Sequence, residues 1–468
     1  MLIPREKLSA HDKALQVNLD PKRYGTFAEI GAGQEVVRWF FRAGGAAGTI
    51  SKSISAYDMK VSDALYGKCE RYVCRPRLES MLKYEQDLNL ERLKAERGDT
   101  TAFFAFADTV SARNFHGTNE CHGWMGMRFQ AHPRDEDSQI LIHVRMLDTT
   151  NALQQEALGL VGVNLVYGAC NLHHDPTSLI ESLLDNLDTS RIEIDMIELS
   201  GIEFRHVDNR LMSLKLVQLG LSDAAMFGPD GEVLQPSEAL RKRPILVERG
   251  SFRPVTHTNL DILECAHKKF CAEPDVDPER VVQLMEITMN NLMATGEIDS
   301  RDFLARADML GVCGMTTLVS NYFEYYRLAA YLASHTKCRI GITMGAASLR
   351  ELFDEEYYGE LEGGILESFG RLFKNDLSLY IYPYKERTNG ARLVTTENLD
   401  IAEDLQQLYG HLTRRGCIVD LEGYREDCLS IFSRDVLRLI ADGDNSWETM
   451  VPAAVAQVIK ERNYYLQG

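Results

Sequence analysis

Thr316-Thr317-Leu318-Val319-Ser320, then Glu324 to His335, then Arg339-Ile340-Gly341-Ile342-Thr343-Met344 is the stretch that decides how this chain folds. The first and last runs are short, apolar and rich in β-branched residues, as buried strands are. The segment between them has helical length and pattern. Strand, helix and strand in that order make a βαβ unit, whose two strands lie parallel in one sheet.

The same alternation extends in both directions. Upstream, Pro244 to Glu248 reads as a strand, Leu260 to Phe270 as a helix and Pro278 to Met293 as a helix. Downstream, Ser348 to Phe353 reads as a helix and Leu377 to Tyr382 as a strand. Earlier still, Ile140 to Met146, Ile192 to Leu199 and Ala224 to Phe227 read as strands. Between them Asn151 to Leu160, Pro176 to Leu187 and Leu211 to Leu219 read as helices. Val161 to Ala169 is either a buried strand or the continuation of its helix. Before residue 136, a helix from Arg77 to Arg97 precedes strands at Ala102 to Ser111 and Trp124 to Gln130. The expected class is α/β: a mainly parallel sheet flanked by helices, preceded by an α+β N-terminal region.

With 468 residues the chain exceeds what one hydrophobic core usually serves, so several domains are expected. The polar, turn-rich run Pro133-Arg134-Asp135-Glu136-Asp137 suggests a boundary. The division expected is 1–136, then an α/β nucleotide-binding-like domain over 137–400 with a break near 245, then a helical region over 401–468.

The net charge of −18 argues against a broad nucleic-acid surface, which needs clustered Lys and Arg. The densest basic run, Arg241-Lys242-Arg243, reads as a solvated loop. No run approaches the roughly 20 apolar residues of a membrane helix, and Met1 to Lys13 lacks the apolar core of a signal peptide. The ten cysteines include no C-x-x-C pair, so reduced thiols in a cytoplasmic protein are expected.

The most informative local signal is Glu248-Arg249-Gly250-Ser251-Phe252-Arg253-Pro254-Val255-Thr256-His257-Thr258-Asn259, between an expected strand and an expected helix. A glycine turn leading into a helix N-terminus offers unpaired N–H groups to an anion. These residues resemble the nucleotidylyltransferase signature G-[ST]-F-[DN]-P-x-[HT]-x-G-H. It is shared by nicotinate and nicotinamide mononucleotide adenylyltransferases and by pantetheine-phosphate adenylyltransferase. Gly250, Ser251, Phe252, Pro254 and Thr256 match. Arg253 replaces the acidic or amide residue, Thr258 the glycine and Asn259 the final histidine.

The resemblance implies a nucleoside triphosphate, bound with Mg²⁺, whose nucleotidyl group passes to a phosphate. Gly250, Ser251 and Phe252 would form the turn, Thr256 and Asn259 would face phosphate, and Arg253 would supply charge. The family's second signature, I-S-[ST]-T-x-x-[RK], has only a poor counterpart in Ala347-Ser348-Leu349-Arg350. The whole chain also resembles a bacterial family whose working names divide between nucleotide adenylyltransferase and TonB-dependent receptor. The second name does not suit a chain without alternating barrel segments.

Beyond the strand at 316, Asn321, Glu324 and Arg327 could line a crevice walled by tyrosines, since ligands in open α/β sheets bind past the carboxyl ends of strands. Cys121 and His122 are adjacent, so on a strand their side chains point apart. Cys170, His173 and His174 could bind a metal with His206 or Asp208 as partners, although the spacing matches no zinc motif, and a metal-dependent hydrolase would need His173, His174 and His206 to converge. Gly31-x-Gly33 fits a dinucleotide loop poorly, and no strong strand is expected before it. The competing expectation is a non-catalytic protein that assembles with itself or a partner.

Overall fold

In the computed structural model the described residues are 7–294, 296–386 and 392–466. The chain divides into two compact units, Met1–Ala225 and Met226–Gly468. Each holds its own sheet flanked by helices, which makes the chain α/β. No helix among the described residues is long and apolar enough to cross a membrane.

The first unit has six strands: β1 Arg23–Gly31, β2 Ile50–Ala56, β3 Ala102–Ser111, β4 His122–Phe129, β5 Ser138–Met146 and β6 Ile192–Gly201. Their order is β2-β1-β3-β4-β5-β6. The three at one end pair in parallel, and β3 through β6 pair antiparallel. One face carries Phe27, Phe104, Phe106, Met125, Met127, Ile140 and Ile142, all buried against helical residues such as Val36, Phe40 and Leu158. Helix Arg75–Arg97 packs on the other face, where Leu82 lies so close to Gly126 that a Cβ there would sit 2.9 Å from it.

Three expectations change in this unit. The run at 133–137 is not a boundary; it joins β4 to β5, which pair along their length, and the chain divides at 225 instead. A nine-residue strand does precede the Gly31 loop. It is hard to recognise because Gly25 and Glu29 interrupt its apolar run, each for a local reason. A Cβ at Gly25 would collide with the Phe104 carbonyl, and Glu29 accepts the Val36 and Val37 N–H groups at the start of helix Val36–Ala43. The choice left open at Val161–Ala169 resolves to helix. Asn151–Asn171 is one element, buried on nearly every side, so it has no polar stripe to reveal its period.

The second unit's sheet uses β7 Ala224–Phe227, β8 Val233–Leu234, β9 Ile245–Arg249, β10 Val282–Thr288, β11 Thr316–Ser320, β12 Ile340–Gly345 and β13 Leu377–Tyr382. A short pair, β14 Tyr384–Lys385 and β15 Leu393–Val394, stands apart, and β16 Ile418–Asp420 returns to the main sheet. The order is β16-β13-β12-β9-β10-β11-β7-β8, with neighbouring strands from β16 to β11 all parallel. From β9 the chain builds outward through β10 and β11, then crosses to the other side of β9 for β12 and β13. The strand order therefore reverses beside β9, the position at which α/β sheets open a crevice.

Here too the structure corrects the reading. Residues 278–293 are not one helix but a 3-10 turn, the strand β10 and a short helix Met289–Met293. β10 is buried on both faces, and an apolar run of that kind has no strand period to show. Beyond residue 401 the described elements are helical except for β16, which pairs with β13.

Candidate functional site

β9 ends at Arg249, and the turn Gly250-Ser251 follows. Gly250 N–H donates to the Glu286 carbonyl of β10 at 3.1 Å. A Cβ on Gly250 would meet the Phe252 ring at 2.8 Å, so glycine lets that ring fold back over the turn. Phe252 itself takes a left-handed conformation (φ 47°) and is buried. Past it, Thr256 caps helix His257–Cys271.

A cavity of about 410 Å³ opens beyond the carboxyl ends of β9, β10, β11 and β12. β9 contributes Arg249, Gly250 and Ser251, and the segment after β10 contributes Thr288, Asn290 and Asn291. Phe323, Glu324 and Tyr325 follow β11, and Ser348 and Glu351 follow β12. Tyr357 and Tyr358 close the wall. The Phe323 and Tyr357 rings lie 5.9 Å apart, so one side of the crevice is aromatic.

Arg249 is the cation of this crevice, and it is held firmly. Its Nε and Nη2 donate to both oxygens of Glu286, at 2.7 and 3.0 Å, and Nη1 donates to the Phe323 carbonyl at 2.7 Å. Its guanidinium lies 4.2 Å from the centre of the Tyr325 ring. Glu286 is fully buried and also accepts from Ser320 Oγ at 2.6 Å. A bidentate Arg–carboxylate pair of this kind fixes geometry and leaves little net charge to offer an anion. Buried Arg306 ties two lining segments together, donating to the carbonyls of Ser251 and Asn291 at 3.0 and 3.2 Å. Its other bonds go to Asp302.

The structure brings Gly250, Ser251 and Glu324 together in the crevice. It does not bring Arg253, Thr256 or Asn259 there. Arg253 Nε donates to Asp302 at 2.6 Å, and its guanidinium stacks on Tyr465. Thr256 is buried, and Asn259 Oδ1 accepts from both Thr256 N–H and Thr256 Oγ, each at 3.0 Å. Asn259 Nδ2 donates to Glu248 Oε1 at 2.8 Å. Phe252 packs into the core. Asn321 and Arg327 are exposed outside the crevice, Arg327 standing 3.7 Å from Glu324 Oε2.

Glu248 neighbours Arg249 on the strand, so it points to the opposite face. Burial pushes its pKa up to about 8, partly opposed by the Asn259 hydrogen bond. Its Oε2 has no hydrogen-bond partner among the described residues. At neutral pH this carboxyl therefore carries its proton.

Sequence reasoning passed over Arg249, Glu286, Arg306 and Glu351. Arg249 was legible as a charged residue closing a strand before a glycine, which is where ligands meet an α/β sheet. Its partner Glu286 lies 37 residues away and becomes visible only once β9 and β10 are paired.

The histidine cluster does not form a metal site. His173 Nδ1 bonds to the Ala169 carbonyl, Asp208 caps helix Asn209–Gln218 and pairs with Arg210, and no group of three ligating side chains converges among the described residues.

No protein-family model and no curated protein matches the chain. Among solved structures, it is similar to a Plasmodium falciparum nicotinic acid mononucleotide adenylyltransferase complexed with NaAD, at 12% identity and TM-score 0.31. That match covers 48% of this chain and 98% of the other. It is also similar to a competence/damage inducible protein from Agrobacterium tumefaciens, at 13% identity and TM-score 0.25, covering 36% of this chain and 97% of the other. A competence-damaged superfamily protein from Enterobacter cloacae is similar at 11% identity and TM-score 0.26, covering 36% and 96%. The α/β class of this chain rests on its own two sheets.

Proposed function

We propose that the second unit is a nucleotidylyltransferase-like module that binds a nucleoside triphosphate, ATP by the motif's resemblance, in the crevice beyond β9 to β12. One observation carries this reading: a cavity at the carboxyl ends of four adjacent parallel strands, beside the point where their order reverses, with an aromatic wall facing a polar glycine turn. Phe323, Tyr325 and Tyr357 suit a flat heteroaromatic base. Ser251, Asn290 and Asn291 suit ribose and phosphate oxygens.

Arg249 is neutralised by Glu286, so a triphosphate would bring its countercharge as Mg²⁺. Glu324 and Glu351 are the crevice carboxylates that would hold the ion; Glu324 Oε2 accepts no hydrogen bond among the described residues, its nearest cation being Arg327 at 3.7 Å. A carboxylate oxygen that accepts no hydrogen bond fits a metal cation, which would compete there with Arg327. Mg²⁺ would screen the phosphate charge and orient the group under attack.

A second reading, binding without transfer, has its own support. Thr256 and Asn259 bond to each other and to Glu248, so the family's phosphate-facing positions are occupied with structural work. Titration with ATP, CTP and nicotinate mononucleotide, each with and without Mg²⁺, separates the possibilities. At 100 times its dissociation constant a ligand adds about 2.7 kcal/mol, or roughly 5–11 °C for a unit of this size. Ser251→Trp, which fills the mouth of the crevice, should abolish the shift. Pyrophosphate release on adding the mononucleotide would mark transfer; a shift without release would mark binding alone. No shift with any nucleotide at millimolar concentration would end both readings.

A further inference from the structure

The first unit carries three polar side chains in contact across β4, β5 and β6. Asp195 Oδ1 lies 2.6 Å from His143 Nδ1, and His143 Nε2 lies 3.0 Å from His122 Nδ1. Asp195 and His143 are almost wholly buried, and His122 is half-buried. The contact depends on an irregularity in the sheet. Pairing between β5 and β6 runs His143 with Met196, then Val144 with Ile194, so Asp195 is the extra residue of a bulge. A bulge re-aims the side chain it carries, and here it sets the carboxylate beside the imidazole. Trp124, directly opposite His143 on β4, packs edge-on against its ring at 5.0 Å.

Proton positions follow from the donors available. The Asp195 carboxylate only accepts, so the proton in the first contact sits on His143 Nδ1. With His143 neutral, its Nε2 is the acceptor and His122 Nδ1 the donor of the second contact. This leaves His122 Nε2 as a lone pair, with no hydrogen bond to it among the described residues. Burial, above all, holds the His122 pKa down to about 4, so the ring stays neutral at physiological pH. His122 pairs with Ser111, the last residue of β3, and so stands at the carboxyl end of the parallel strands β1 and β3.

We propose that His122 Nε2 is a general base at a second site, in the first unit, and that His143 and Asp195 form the relay that sets its tautomer and takes up its second proton. Its substrate is an O–H group, either a hydroxyl or a water. When that group gives its proton to His122 Nε2, His122 passes its Nδ1 proton to His143 Nε2. His122 ends neutral in the other tautomer, His143 ends as an imidazolium beside the Asp195 carboxylate, and the oxygen keeps the electron pair of the broken O–H bond. A buried Asp–His pair alone would serve structure equally well. The third member, part-exposed at the strand ends with an unused nitrogen, distinguishes a relay from a structural pair.

Long-range ¹H–¹⁵N correlation on histidine-labelled full-length protein reads the tautomer directly. The expected result is His122 protonated at Nδ1 and bare at Nε2; a proton on Nε2 would overturn the relay. Hydrolysis of p-nitrophenyl acetate reads its action as a general base. His122→Gln should abolish the protein-dependent rate, and Asp195→Asn should lower it about a hundredfold, the scale of general-base assistance, with the melting temperature of the His122→Gln protein unchanged. A His122→Gln protein that cleaves the ester as fast as the original would equally refute the proposal.

Discussion

Replacing Glu248 by glutamine tests the electrostatics beneath the candidate nucleotide crevice. The carboxyl is buried, accepts from Asn259 through Oε1, and has a second oxygen without a partner among the described residues. Burial raises its pKa from 4.5 to about 8. A carboxyl whose pKa is higher in the folded state binds its proton more tightly there. Its contribution is fully present below about pH 4.5 and is lost as pH rises through about 8, at up to about 1.4 kcal/mol per pH unit.

Glutamine keeps the acceptor for Asn259 and mimics the protonated acid, so the variant should lack this slope. Between pH 5.5 and 7.5 the stability gap between variant and original protein should widen by about 2.7 kcal/mol, or roughly 5–11 °C in melting temperature. Trp447 is buried in the second unit, and the chain's two other tryptophans, Trp39 and Trp124, lie in the first. Trp447 fluorescence in a Trp39→Phe, Trp124→Phe background therefore follows the relevant unit. A gap that stays constant over that range would mean the carboxylate is already charged in the folded protein, and the account of a protonated Glu248 would fall.

Other outcomes follow from the same packing and charge arguments. Asp108 stands beside Glu29 in register, fully buried, and burial with that neighbouring carboxylate pushes its pKa well up. Asp108→Asn should thus stabilise the first unit more at pH 8 than at pH 5 in urea melts, and equal effects at both would refute it. Arg306→Met removes the donor holding the Ser251 and Asn291 carbonyls and leaves Asp302 with one cation fewer. The expected cost is about 3–5 kcal/mol in chemical denaturation, the range for breaking a buried pair, and a loss under 1 kcal/mol would argue against the clamp. The Cys69 and Cys74 sulfurs lie 3.3 Å apart, so a mild thiol oxidant should join them, removing two titratable thiols and adding about 2 kcal/mol to the first unit. An unchanged thiol count would show that the loop cannot close.

What the residues disclosed in advance depended on how each segment meets water. The βαβ unit from Thr316 to Met344 and the helix Arg75–Arg97 were legible because a boundary or a polar face marks their period. β10 was mistaken for helix because its side chains are buried on both faces, and β1 was missed because Gly25 and Glu29 answer to a neighbouring carbonyl and a helix start. At the crevice, Gly250 and Ser251 were found through the turn they make and Glu324 through its place after β11. Arg253, Thr256 and Asn259 sit past Phe252, where the chain has turned away toward the helix start. No residue pattern announces that turn, since Phe252 adopts a backbone conformation rarely taken by large side chains. The Asp195 bulge was equally hidden, because it is a property of two strands pairing rather than of either one.

In the first sheet, β3 has a parallel neighbour on one side and an antiparallel neighbour on the other. That junction divides the unit by the distance along the chain that each pairing must bridge. β3, β4 and β5 are consecutive and joined by loops, whereas β1 meets β3 only after β2 and the helix Arg75–Arg97 have been laid down between them. Closing the longer loop costs more entropy before any contact repays it, so the meander has the kinetic advantage. Pulse-labelling during refolding should find the β4 amides protected before those of β1, and the Asp195–His143–His122 chain complete only once β6 docks on β5.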